Sequence, residues 1–164
     1  MRSGYNFGKA VNGQMKQGTD LDGLLGYQLQ RSHLLITDDA RRALMPHDIT
    51  PAKLTALLLI RTNPGCDQTA LGRALSINRS SAMKLVNFLV ERGLVERRPG
   101  RDLRTNALHL LPGAEERIQE MVKALGESDA RMSERLTAPE RGQLFNLLRK
   151  LGPARARRLK EAAE

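Results

Sequence analysis

The sequence predicts a mainly α-helical chain with one small β-hairpin, an α+β fold, and three observations lead there. Apolar residues recur at three- to four-residue steps over most of the 164 residues, which is the spacing of amphipathic helices. Aromatic residues make up only 3% and tryptophan is absent, so the core must be built from Leu, Ala, Val, Ile and Met, side chains that suit packed helices. The period changes from helical to extended once, just after Gly93.

Each element follows in order. Residues 1–19 are rich in Gly, Asn, Gln and Ser and read as a flexible N-terminal arm. From about Asp20, Leu25, Leu29, Ile36, Ala40 and Ala43 predict one long, partly buried helix that Pro46 ends. Thr50-Pro51 is a cap followed by proline at the first helical position, opening a short apolar helix with Leu54, Leu57, Leu58 and Ile60. Asn63-Pro64-Gly65 stops it. Asp67 caps the next helix, with Ala70, Leu71, Ala74 and Leu75 expected to face inward. Asn78 caps another, which Gly93 closes.

Residues 94–98 and 105–111 then read as two strands joined by a turn at Pro99-Gly100-Arg101-Asp102, and Leu111-Pro112-Gly113 closes the hairpin. Residues 114–136 resume a helical register through Ile118, Met121, Val122, Leu125 and Met132. Thr137-Ala138-Pro139-Glu140 resembles a capping box and starts a last helix with Leu144, Phe145, Leu147, Leu148 and Leu151. Gly152-Pro153 interrupts it before a basic end, residues 155–160.

The net charge of +9 suits a polyanionic partner such as nucleic acid, and equally a plain basic surface. The single cysteine, Cys66, allows no internal disulfide, and no Cys/His cluster has the spacing of a zinc site, so a reducing cytoplasm and no metal are expected. The longest apolar run, residues 56–60, is too short to cross a bilayer. No Ser/His/Asp, Cys/His, paired-carboxylate or phosphate-loop spacing is present, and His47 and His109 fall at a loop start and in the hairpin. Neither an enzyme nor a cofactor is expected.

The order of elements over residues 67–111 carries the functional reading: two short helices with a tight turn stand directly before a basic hairpin, as in a winged helix-turn-helix that binds double-stranded DNA. In the second helix Ala82, Leu85, Val86 and Leu89 form the buried stripe, which leaves Arg79, Ser80, Lys84 and Asn87 towards a partner. Arg79 suits guanine and Asn87 or Asn78 adenine, while Ser80, Ser81 and Lys84 suit phosphates. The hairpin sets Arg97, Arg98, Arg101 and Arg104 against Glu96 and Asp102, a positive tip that fits a minor groove. Taken singly each of these residues could be an ordinary solvated position.

The runs Gln68-Thr69-Ala70-Leu71-Gly72-Arg73-Ala74-Leu75, Asn78-Arg79-Ser80-Ser81-Ala82-Met83-Lys84-Leu85-Val86 and Leu89-Val90-Glu91-Arg92-Gly93-Leu94-Val95-Glu96-Arg97 resemble the MarR family of regulators. So do Asp102-Leu103-Arg104-Thr105 and Leu108-His109-Leu110-Leu111, with Leu103 standing where the family's wing usually has the first arginine of an Asp-Arg-Arg-Ala-like run. The resemblance spans nearly everything from Asp20 onward. It implies a DNA-binding domain at residues 50–111 and a helical dimerisation region at 20–49 and 112–164. It implies a homodimer on a pseudopalindromic operator, with recognition helices about 34 Å apart.

The DNA-binding set it implies is Gln68, Thr69, Asn78, Arg79, Ser80, Ser81, Lys84, Asn87, Arg97, Arg98, Arg101, Asp102 and Arg104. A small organic effector, an aromatic acid or a coenzyme A thioester among the options, would relieve DNA binding. Tyr27, Arg31 and His33 are candidate effector contacts, and dimer or core contacts are the competing reading. Cys66 lies between helices, whereas the family's thiol sensors carry theirs in the first helix. A basic architectural module that binds nucleic acid without sequence preference or effector is the alternative function.

Overall fold

Four of the helices in this chain start where a short polar side chain satisfies a backbone N–H that has no intrahelical partner. The computed structural model describes residues 18–100 and 106–151. The helices are α1 Thr19–Asp22, α2 Leu25–Leu44, α3 Pro51–Thr62, α4 Gln68–Ala74, α5 Arg79–Glu91, α6 Ala114–Met132 and α7 Ala138–Leu151. The strands are β1 Cys66–Asp67, β2 Val95–Pro99 and β3 Asn106–Leu110, and a 3-10 turn, Met45–His47, follows α2.

Thr50, Asp67 and Asn78 cap α3, α4 and α5, accepting from the N–H groups of Lys53, Ala70 and Ser81. Before α7, Glu140 Oε2 accepts from Thr137 N at 2.8 Å, and the Glu140 N–H donates to Thr137 Oγ1 at 3.4 Å, the reciprocal box expected from the sequence.

The fold class agrees with the sequence reading, with three local differences. The first helix is broken at Gly23-Leu24, leaving α1 as a single turn. The hairpin is not alone: Cys66 and Asp67 form an edge strand paired antiparallel with Leu108 and Ala107, giving a three-stranded sheet in the order β1-β3-β2. In α4, Leu71 and Gly72 are buried whereas Ala70 and Ala74, expected inside, are exposed. The core needs the large residue at one position of this short helix and close backbone approach at the next.

That close approach sets the position of α5. A Cβ built on Gly72 would stand 3.1 Å from the Cβ of Ala82, so the α4 and α5 backbones meet with nothing larger than an alanine methyl between them. The turn joining them has Ser76 in the left-handed region, φ 54°, with Ile77 N donating to Gly72 O and Ser76 N to Arg73 O. This is a Schellman motif with serine where glycine is usual. The far end of α5 has the same motif with glycine: Gly93 at φ 62°, Leu94 N to Leu89 O and Gly93 N to Val90 O. Leu89 and Leu94, both fully buried, make its apolar contact and turn the chain from α5 into β2.

The core joins Leu54, Leu57 and Ile60 of α3, Val86 and Leu89 of α5, Val95 and Leu108 of the sheet, and Ile118 and Met121 of α6. Leu44 carries it to the end of α2, which runs along α6. Between those helices Asp39 Oδ2 accepts from the buried Ser128 hydroxyl at 2.7 Å and from Arg131 at 3.0 Å, while Oδ1 accepts from Arg42 at 3.2 Å. The remaining faces of α2 and α7 are apolar and exposed. Leu25, Leu34 and Leu35 are about 60% accessible, and α7 buries none of its residues.

The Ser128 hydroxyl first, then Arg42 and Arg131, hold the Asp39 carboxyl below its ordinary pKa, against an opposing effect of burial. Folding therefore releases protons here. The contribution is complete above the unfolded value, about 3.9, and is lost as pH falls through the lower folded value. Urea denaturation of Asp39→Asn should show its largest stability deficit relative to wild type near neutral pH, shrinking below about pH 4. A deficit independent of pH would show that the carboxylate charge does not hold α2 to α6.

Candidate nucleic-acid interface

With Ala82, Val86 and Leu89 turned into the core, the opposite edge of α5 has to face solvent. Arg79, Ser80, Ser81, Lys84 and Asn87 are all exposed there. Neither Arg79 nor Lys84 joins an ion pair among the described residues, so both charges are available to an anion. Asn78 is already committed: its Oδ1 accepts from Ser81 N at 2.8 Å as the α5 cap. At the start of α4, Gln68 is half-buried and Thr69 exposed.

These residues come together around the hairpin. Gln68, Thr69, Arg79, Arg97 and Asn106 line a polar recess of about 200 Å³ between the first turns of α4 and α5 and the sheet. Asp67 borders it too, with its carboxylate occupied by the Ala70 N–H at 2.7 Å. Arg97 reaches α5, donating from Nη2 to Asn87 Oδ1 at 2.5 Å. Arg98 turns the other way and pairs with Glu96 on its own strand through Nε, at 2.8 Å. The sequence reading treated the hairpin arginines as one group, and the strand register divides them. Arg101, Asp102 and Arg104 lie outside the described residues, as do residues 1–17 and the basic end.

The candidate effector residues sit elsewhere. Tyr27, Arg31 and His33 are on α2, where the Arg31 guanidinium carbon lies 5.7 Å from the Tyr27 ring centre and His33 Nδ1 is 3.4 Å from Thr37 Oγ1. They do not line a second, larger cleft of about 370 Å³ at the α2–α3 junction, bordered by Arg41, Met45, Asp48, Ile49, Thr50 and Lys53. The sequence reading missed this cleft because its residues straddle a helix end, a 3-10 turn and a helix start. The cleft connects to α5: Lys53 Nζ sits 3.1 Å above the Phe88 ring centre, and Arg92, 4.9 Å from the same ring, is ion-paired with Asp48.

Cys66 is half-buried on the edge strand, and burial first, then the neighbouring Asp67 charge, pushes its thiol above its ordinary pKa. A thiol kept protonated is a poor nucleophile.

Comparison with known proteins places this geometry. A family model described as MarR family matches residues 47–104, spanning α3 to the hairpin. A protein assigned as transcriptional regulatory protein for the hcr operon of Thauera aromatica is 33% identical over 148 residues, covering 88% of this chain and 89% of that protein. The transcriptional repressor CouR, solved bound to a 23-mer DNA duplex, aligns with a TM-score of 0.78 at 28% identity over 84% of this chain and 99% of its own. A Mycobacterium tuberculosis MarR family protein in complex with salicylic acid aligns with a TM-score of 0.67 at 26% identity, over 80% and 98%.

The Asn78 cap gives a test of how α5 is held. Asn78→Ala should cost about 1 kcal/mol in denaturant unfolding while Asn78→Ser recovers most of it, since either cap supplies an acceptor to the α5 amides. Equal stability of both variants and wild type would remove the cap from the account. Helix-turn-helix, wing, core and relatives agree on one assignment: this chain belongs to the MarR family of winged helix-turn-helix transcriptional regulators.

Proposed function

We propose that the chain works in the cytoplasm as a homodimeric repressor at a pseudopalindromic operator and that a small organic anion releases it. One observation carries the DNA reading: an edge of α5 with Arg79, Ser80 and Lys84 exposed and in no ion pair among the described residues, next to the recess under the hairpin. Arg79 serves as a base-reading residue, because a guanidinium at the first turn of such a helix can grip guanine with two hydrogen bonds. Ser80, Ser81 and Lys84 contact phosphates, Arg98 adds a charge on β2, and Arg101, Asp102 and Arg104 keep the DNA-binding role that the family resemblance implies. The CouR–DNA complex supports this reading by its similarity.

The dimer reading rests on the apolar faces of α2 and α7, where Leu25, Leu34, Leu35, Phe145 and Leu151 are each more than half accessible. Faces of that composition, at opposite ends of the sequence, suit burial against a second copy. Residues 20–49 and 112–164 would then be the dimerisation region and 50–111 the reading head. A site including Tyr27, Arg31 and His33 would be completed by the partner's helices.

For the effector, the α2–α3 cleft supplies Arg41 and Lys53 for a carboxylate and Met45 and Ile49 for an apolar body. The salicylic acid complex of the M. tuberculosis relative makes an aromatic acid a reasonable first probe. An anion drawing Lys53 away from Phe88 would loosen the C-terminal half of α5.

Selection of wild-type binding sites from random duplexes should yield an inverted repeat with half-sites about one helical turn apart. Arg79→Ala should then lose about 1–3 kcal/mol on that site and little on unrelated duplexes. Recovery of no consensus, with steep salt dependence on every duplex, would favour the architectural-module alternative. Salicylate should weaken wild-type binding to the selected site in a titration, and Arg41→Ala should shift that titration to about tenfold higher concentration, the loss of one charge-assisted contact. An unchanged titration would place the effector elsewhere.

A further inference from the structure

We infer that Asn87 does not read a base: it is a positioning residue that holds Arg97 over the recess between α4, α5 and the sheet, where Arg97 grips one phosphodiester of the DNA. This rests on the DNA-binding reading above and revises the role of two of its residues.

The strand register is the first support. Directly paired residues of antiparallel strands point to the same side of the sheet. Arg97 is paired with Leu108, and Val95, two residues before it, with Leu110. Leu108 and Val95 are fully buried against the helices. Arg97 therefore leaves β2 on the helix side, whereas Arg98, paired with Ala107, leaves on the outer side. An arginine on the helix side in the middle of the β2–β3 pairing has α5 as its neighbour, not the groove beyond the wing tip.

The second support is the bond itself. The Arg97 guanidinium donates to Asn87 Oδ1 at 2.5 Å, which uses the acceptor that an asparagine needs for a two-bonded grip on adenine. With one edge of the guanidinium tied to α5, the remaining N–H groups stay available to the recess, where Arg79 is the other cation and Gln68, Thr69 and Asn106 add neutral hydrogen-bonding groups. The one carboxylate at its border, Asp67, is engaged by the Ala70 N–H. The two guanidinium groups outweigh the single Asp67 carboxylate at the border, and the Arg97 guanidinium, in no ion pair among the described residues, matches the chemistry of a phosphate oxyanion. A duplex lying along α5 brings its backbone there.

The test uses the full chain and a duplex selected by the wild type, with one uncharged methylphosphonate placed at each backbone position in turn. In the wild type several positions should be sensitive, and among them one per half-site, beside the recess, should weaken binding about tenfold, the loss of a charge-assisted contact. Arg97→Ala and Asn87→Ala should each bind the unmodified duplex about tenfold more weakly, lose sensitivity to that same phosphate, and keep the base preferences of the wild type. The double variant should be no weaker than Arg97→Ala alone, and the salt slope should fall by about one in each. All of these side chains are exposed, so thermal unfolding should be unaltered and serves as the folding check. If Asn87→Ala keeps the phosphate sensitivity and instead loses preference at one base pair, Asn87 is a base reader and the inference fails alone. If the wild type selects no duplex, the regulator reading fails first and the inference with it.

Discussion

The placement of α5 depends on one contact, the approach of α4 to α5 at Gly72 and Ala82. With a separation at which any side chain on residue 72 would touch the alanine methyl, the two helices have little freedom to slide or rotate against one another. The left-handed turn at Ser76 is the geometry that joins them at that spacing, and serine accepts it although glycine would do so with less strain. Because α5 is seated there and pinned again at Leu89 and Leu94, its solvent edge has a defined direction. The hairpin that leaves Gly93 is placed relative to that edge by the same cap.

The rest of the molecule reads as support for that edge. α3 and α6 provide the apolar bed under α5 and the sheet, and α2 is tied to α6 by a carboxylate shared among Ser128, Arg42 and Arg131. At the other end of α5 the Phe88 ring lies near Lys53 and Arg92, and Arg92 is paired with Asp48 in the loop after α2. Helix α5 is thus held by close packing at its start and at the Leu89–Leu94 cap, and by charged, exposed side chains around Phe88. Contacts of the second kind are the cheaper to rearrange, because water can replace them. A ligand acting at the α2–α3 junction would meet α5 through those exposed contacts.

Much of this was legible in the residues because it is local. The caps at Thr50, Asp67, Asn78 and Thr137, the proline at the start of α3, the glycine that ends α5 and the buried stripe Ala82, Val86 and Leu89 each follow from interactions within four or five positions along the chain. The exposed edge of α5 followed from the same stripe, since a helix with one face buried has the other in solvent. The break at Gly23-Leu24 was harder to read, because the apolar spacing of α2 continues nearly in phase across it.

The sequence by itself therefore determined the two hairpin strands, the starts of the four capped helices, and which side of α5 is polar, since backbone capping and side-chain periodicity act over a single turn. Only the tertiary structure decided that Cys66 and Asp67 add a third strand, that Ala70 and Ala74 stay outside, that Arg97 and Arg98 leave the hairpin on opposite sides, and that Asn87 is engaged by Arg97. Each of these depends on strand register or on the packing of one element against another. A two-residue strand has too little pattern to announce itself, and a run of arginines looks alike until a partner strand assigns each one to a face.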